Sequence, residues 1–126
     1  MKLPYNVHYF PPAPTVEIRL GTPGESFASI PLQALIDTGA DISLIPIDHI
    51  RPLQVVPDDH RYLHSQWGEG RKVAIYSLDV GIGNARLPTV EVVADERGDE
   101  IILGRNVLNQ LVITLDGPKR VLEILD

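Results

Sequence analysis

Apolar and polar residues alternate along much of this chain, and the alternation begins at Thr15. Val16, Ile18 and Leu20 fall on one side of an extended backbone, Glu17 and Arg19 on the other. A period of two marks a half-buried strand, because successive side chains of an extended chain point to opposite faces. Gly21-Thr22-Pro23-Gly24 predicts a turn and Ser26 to Leu32 a second strand. Gln33 to Ile36 predicts a third, apolar enough to be buried on both faces. Residues 42–56 carry Ile42, Leu44, Ile45 and Ile47, then proline-interrupted loop sequence. Ser65-Gln66-Trp67-Gly68-Glu69-Gly70 reads as a hairpin tip. Beyond it Lys72 to Ile82 is a long strand pattern, turned at Gly83-Asn84 into another from Leu87 to Ala94. An acidic loop, Asp95 to Glu100, precedes the wholly apolar Ile101-Ile102-Leu103. Only Val107 to Leu111 predicts a helix, with Asn106 placed to serve as its N-cap. Val112 to Asp116, a turn at Gly117-Pro118 and Val121 to Leu125 complete the series.

The reading is therefore all-β with one short helix near the C-terminus. Composition supports it: hydrophobic residues make up 44% of the 126 but aromatics only 6%, so the core must be aliphatic and rich in β-branched side chains. A chain of this length builds one domain, placed at residues 15–126. Residues 1–14, with Pro4, Pro11, Pro12 and Pro14, are expected to form an extended arm, since proline is excluded from helix interiors and central strands. The net charge of −6, with no basic stripe, argues against nucleic acid as a partner. No Cys is present, which excludes disulfides, zinc–thiolate sites and cysteine nucleophiles. No apolar run approaches the ~20 residues that span a bilayer, and the first residues lack a signal-peptide layout, so a cytoplasmic protein is expected.

The segment that carries chemistry is Ala34-Leu35-Ile36-Asp37-Thr38-Gly39-Ala40-Asp41. It delivers a carboxylate at the end of an apolar strand, on a turn whose glycine lets backbone approach a ligand closely. By itself Asp-Thr-Gly is equally a turn closed by an Asx hydrogen bond. About 65 residues downstream, Ile101-Ile102-Leu103-Gly104-Arg105-Asn106-Val107-Leu108 repeats the passage from apolar strand through glycine into a helix start. Together, in this order and separated by a hairpin, the two segments resemble the paired signatures of retroviral and retroviral-like (retropepsin-like) aspartic proteases.

That resemblance implies a closed β-barrel subunit of the acid-protease fold, with a flap hairpin and one short C-terminal helix. It also implies a homodimer in which each subunit supplies one Asp37, and this chain holds a single Asp-Thr-Gly. The paired carboxylates would share one proton, activate a water and hydrolyse a peptide bond, with no cofactor and no metal. Thr38 would hold the two loops together and Gly39 would offer backbone to substrate. Ala40, Asp41 and the flap residues Gln66, Trp67, Gly68, Glu69 and Gly70 would line the substrate, a peptide or protein. Gly104, Arg105 and Asn106 would support the loop, Arg105 through an ion pair to Asp41. Two features depart from the viral pattern: Glu69 sits near the flap tip, and the chain runs past one terminal strand into Val121 to Leu125. A dimerisation or peptide-binding module of the same fold, weak in catalysis, is the alternative. His60 and His64 could share a metal only on a helix.

Overall fold

The computed structural model describes residues 1–64 and 70–125. β2 (Thr15–Gly21) pairs antiparallel with β3 (Leu32–Ile36), and Val16, Ile18, Leu20, Ala34 and Ile36 all turn inward. β3 runs parallel to β8 (Ile101–Leu103), which crosses β4 (Ser43–Pro46) antiparallel at Leu44↔Ile102. β4 continues parallel to β7 (Ala85–Asp95), β7 pairs antiparallel with β6 (Gly70–Ile82), and β6 returns to β2. These six strands close a barrel. β5 (Asp59–His64) lies outside the ring as the second arm of a hairpin with β6, in register from Asp59↔Ile75 to His64↔Gly70.

The barrel interior is aliphatic. Among the described residues every buried hydrophobic side chain is Val, Ile, Leu or Ala, as the aromatic-poor composition requires. Ile42, Leu44, Leu63, Val73, Ile75 and Val93 form a second, smaller cluster at the β5–β6 hairpin. A three-stranded sheet of β1 (Lys2–Pro4), β10 (Val121–Ile124) and β9 (Ile113–Asp116) joins the two ends of the chain. Pro4 is the last residue of an edge strand, where its missing N–H costs nothing. The segment after it is pinned by an Asn6↔Ala13 bridge and by the Tyr9 hydroxyl donating to Glu100. Burial and the neighbouring Glu100 and Asp99 carboxylates push the Tyr9 phenol up to about 12.

Several expectations need correction. The strand expected from Ser26 to Leu32 is absent up to Pro31, Leu32 being the first residue of β3: residues 22–31 fold back over the end of β2, where Leu20 N–H donates to Ser29 Oγ and Leu20 O accepts from Ala28 and Ser29. Pro31, without an N–H, cannot extend β3 backwards into a ladder. β3 is not buried on both faces, since Gln33 is exposed and Leu35 half-buried. β4 falls in the apolar Ile42–Ile47 stretch, and the part after it that was expected to be loop holds the single helical turn α1 (Ile47–Ile50) and a 3-10 turn at Arg51–Leu53. His60 and His64 lie on a strand and so lack the helical spacing a metal pair would need. Among the described residues no helix is long and apolar enough to cross a membrane.

One acid is buried by a loop laid over its strand. Asp79 sits beside a register shift between Leu78 and Val80, on the face of β6 opposite those two core residues, and is 2% exposed beneath the loop that carries Gly24. It accepts from Gly24 N–H, Thr89 N–H and Arg86 Nε at 3.0, 2.8 and 2.9 Å. Burial alone pushes this carboxyl up, but the two backbone donors and the Arg86 guanidinium outweigh it and hold it below the usual carboxylate range. Arg86 also stacks on Phe27 at 4.3 Å. Phe27 in turn occupies the space a side chain at Gly81 would need, since an added Cβ there would sit 2.8 Å from its ring. The loop before β3 is thus locked to the barrel by charge and packing together.

Candidate active site

β3 delivers Asp37 to the surface. Its N–H donates to Leu103 O at 3.1 Å, the last bond joining this segment to β8 before the chain turns away. One carboxylate oxygen, Oδ1, accepts Gly39 N–H at 2.9 Å, and Ala40 N–H closes the turn on Asp37 O at 3.2 Å. The carboxylate is thereby aimed before any ligand arrives. Asp37 is half-buried, while Thr38, Gly39 and Asp41 are exposed and Ala40 is half-buried.

The second segment clamps this loop from beneath. Gly104 passes so close that a Cβ on it would lie 2.7 Å from Ile42 O and 2.9 Å from Ala40 O. Both are backbone atoms with little freedom to yield, so the close approach requires glycine. Arg105 N–H then donates to Ala40 O at 2.8 Å, and Arg105 Nη1 donates to Thr38 O, also at 2.8 Å. The expected ion pair is not formed: among the described residues neither a hydrogen bond nor an ion pair reaches Asp41. The guanidinium bonds instead to the Thr38 carbonyl, which has no backbone N–H partner among the described residues.

Asn106 is not the N-cap either. α2 (Arg105–Leu108) is capped by extended Gly104, and Asn106 lies inside its first turn. Its Nδ2 donates to Glu91 O at 2.7 Å and its Oδ1 accepts from Ser43 Oγ at 2.9 Å. Ser43 is fully buried and also accepts Gly104 N–H at 2.9 Å. It ties β4 to the Gly104 turn, and the alternation pattern gave it no role. Its signal was chemical: a hydroxyl in an otherwise apolar strand six residues after Asp37, with nothing nearby in sequence to bond.

Beside the loop lies a cavity of about 520 Å³ bounded by the β5–β6 hairpin, β7 and α2. Asp41 and Ile42 line it, so the chain leaves Asp37 and runs directly along its wall. Gly70 is the first residue of β6 and pairs with His64. Gln66, Trp67, Gly68 and Glu69 fall outside the described residues.

A family model described as "gag-polyprotein putative aspartyl protease" matches residues 26–110, which include both segments and everything between them. The chain belongs to this family. Solved structures that share its fold include two proteases. A retropepsin-like aspartic protease from Rickettsia conorii is 15% identical and superposes with a TM-score of 0.69, over 98% of this chain and 88% of that one. Simian foamy virus (mac) protease is 19% identical, with a TM-score of 0.57 over 76% of this chain and 92% of its own. At these identities the likeness is one of fold. No curated protein matches the sequence. The barrel with its Asp-Thr-Gly turn is therefore a retropepsin-like aspartic protease fold.

Proposed function

We propose that the chain is an aspartic endopeptidase that works as a homodimer, its catalytic pair being two copies of Asp37. The observation that carries this reading is the exposed Asp37–Gly39 turn, which fixes one carboxylate yet supplies only half of an acid–base pair. The Thr38 hydroxyl has no partner among the described residues, and in this reading it bonds across the two-fold axis. Two carboxylates brought within a few ångströms cannot both ionise cheaply, so the pair retains one proton and titrates as a unit. The charged member takes a proton from water as it attacks the scissile carbonyl carbon. The neutral member donates its proton to the carbonyl oxygen. The member that took the proton from water then passes it to the scissile nitrogen while the other recovers a proton from the gem-diol, and the C–N bond breaks to release the amine and the acid.

Substrate lies extended between the Asp37 pair and the two β5–β6 hairpins, main chain bonded on both sides. In this reading those hairpins are the flaps, with Gln66, Trp67, Gly68, Glu69 and Gly70 covering the peptide and excluding water. The support at Gly104, Arg105 and Ser43 keeps the carboxylate within the fraction of an ångström that such chemistry tolerates.

Calorimetric titration with a peptide whose scissile carbonyl is replaced by a tetrahedral carbinol tests the proposal. One inhibitor bound per two chains, with the affinity collapsing in Asp37→Asn, is the expected result. One inhibitor per chain, or binding indifferent to Asp37→Asn, would instead identify a peptide-binding module.

A further inference from the structure

The cavity beside the Asp37 loop combines an aliphatic wall with a charged mouth. Ile42, Leu63 and Ile75 form the wall; Asp41, Arg61 and Glu91 carry the charge. Arg61 is already engaged, its Nη2 donating to Glu91 Oε2 at 2.7 Å and its Nε lying 3.5 Å from Asp59 Oδ2. Glu91 is thereby matched. Asp41 is not, because Arg105 has turned to the Thr38 carbonyl and nothing among the described residues replaces it. Two carboxylates and one guanidinium leave the lining with a net charge of −1, and the unmatched group is Asp41.

We infer that this cavity is a specificity subsite for a lysine or arginine side chain of the substrate, with Asp41 as the residue that selects it. The inference rests on the endopeptidase reading above. A long basic side chain lays its methylenes on Ile42, Leu63 and Ile75 and keeps its charged end at the rim, where Asp41 stands. An aliphatic side chain gains the same wall contact but no charge pairing. An acidic one meets Asp41 with like charge. Norleucine is therefore the comparator that isolates the charge, since it shares the lysine stem.

The experiment uses the full chain and peptides that differ at one residue, occupied by Lys, norleucine or Glu. That residue is moved through each position within about four of the cut. A two-fold dimer presents the cavity twice, so one position on each side of the cut should rank Lys above norleucine above Glu in kcat/KM. The Lys-to-norleucine ratio expected for a solvent-accessible pair is about fivefold. It should fall toward unity at about 1 M salt, where the screening length is only ~3 Å. Asp41→Asn should bring the ratio near one and Asp41→Lys should invert the order of Lys and Glu. Ratios within one variant are independent of its absolute rate and of the fraction folded. If neither variant folds, the salt dependence in the unsubstituted protein decides. A ratio at or below one at every position overturns the subsite, as does a Lys preference that survives Asp41→Asn or high salt; both leave the endopeptidase standing. Failure to cleave any peptide, with the dimer formed and Asp37 intact, removes the endopeptidase reading and this inference with it.

Discussion

Ser43→Ala probes the support of the catalytic turn directly. Ser43 Oγ accepts Gly104 N–H and donates to Asn106 Oδ1, both at 2.9 Å, from a side chain that is 0% exposed. Alanine removes both bonds at once. Gly104 N–H then has no replacement partner, because water cannot enter where the Ala40 and Ile42 carbonyls already crowd the glycine. Two lost hydrogen bonds at about 1 kcal/mol each, plus one buried donor stranded at about 1–2 kcal/mol, amount to a loss of roughly 3 kcal/mol. With an unfolding entropy of about 2.1 cal/mol/K per residue, that lowers Tm by about 10 °C for a chain of this size. The assay is urea unfolding of the wild type, Ser43→Ala, Asn106→Ala and the double variant. Protein concentration is held fixed because dimer stability depends on it. The double variant should lose about 1 kcal/mol less than the sum of the singles, the Ser43–Asn106 bond being shared between them. A Ser43→Ala loss under about 1 kcal/mol with additive singles would refute the reasoning, since it would mean the bonds hold nothing in place.

Gly104→Ala should cost about 2–3 kcal/mol in stability, because the clashing atoms at 2.7 and 2.9 Å are both backbone; a thermal melt unchanged from wild type would show that the crossing relaxes freely. Arg105→Ala and Asp41→Asn should have additive effects on stability and kcat, the first acting through the Thr38 carbonyl and the second not; strong coupling in a double-mutant cycle would restore the ion pair that the structure lacks. Asp79 sets an acid limit. Its carboxyl is held below the usual range in the folded state, so it contributes stability above the unfolded value of about 3.9, and that contribution is lost as pH falls through the folded value. Unfolding midpoints should therefore drop below about pH 4, while Asp79→Asn should cost about 3 kcal/mol at neutral pH and flatten the drop. A variant with the acid profile of the wild type would move the responsibility elsewhere.

What the sequence revealed and what it hid divide along a physical line. Local alternation located β2, the β6–β7 hairpin and the C-terminal strands to within a few residues, because each is set by its own pattern of burial. The two signature segments were legible as a pair for the same reason: each is an apolar strand interrupted by residues a strand does not want. The misreadings involve contacts between distant positions. Ser26 to Leu32 alternates plausibly, yet Ser29 Oγ and Phe27 are committed to β2, Gly81 and Arg86, which no local pattern encodes. Asp79 is buried by Gly24 and Arg86, which come from other parts of the chain. Arg105 was expected to seek the nearest carboxylate; the geometry offers it a carbonyl at 2.8 Å instead. Ser43 and Asn106 stand 63 residues apart and meet only when β4 and α2 are packed.

The central claim is that two copies of Asp37 together hydrolyse peptide bonds. It is tested most directly by cleavage of an unfolded protein or peptide library, from acidic to neutral pH, with wild type and Asp37→Asn measured across a range of enzyme concentrations. The account predicts cleavage in the wild type whose specific activity rises with enzyme concentration until the dimer is saturated, and none in Asp37→Asn. Cleavage by Asp37→Asn, specific activity independent of concentration in a monomeric protein, or no cleavage where the dimer is shown to form would each contradict it.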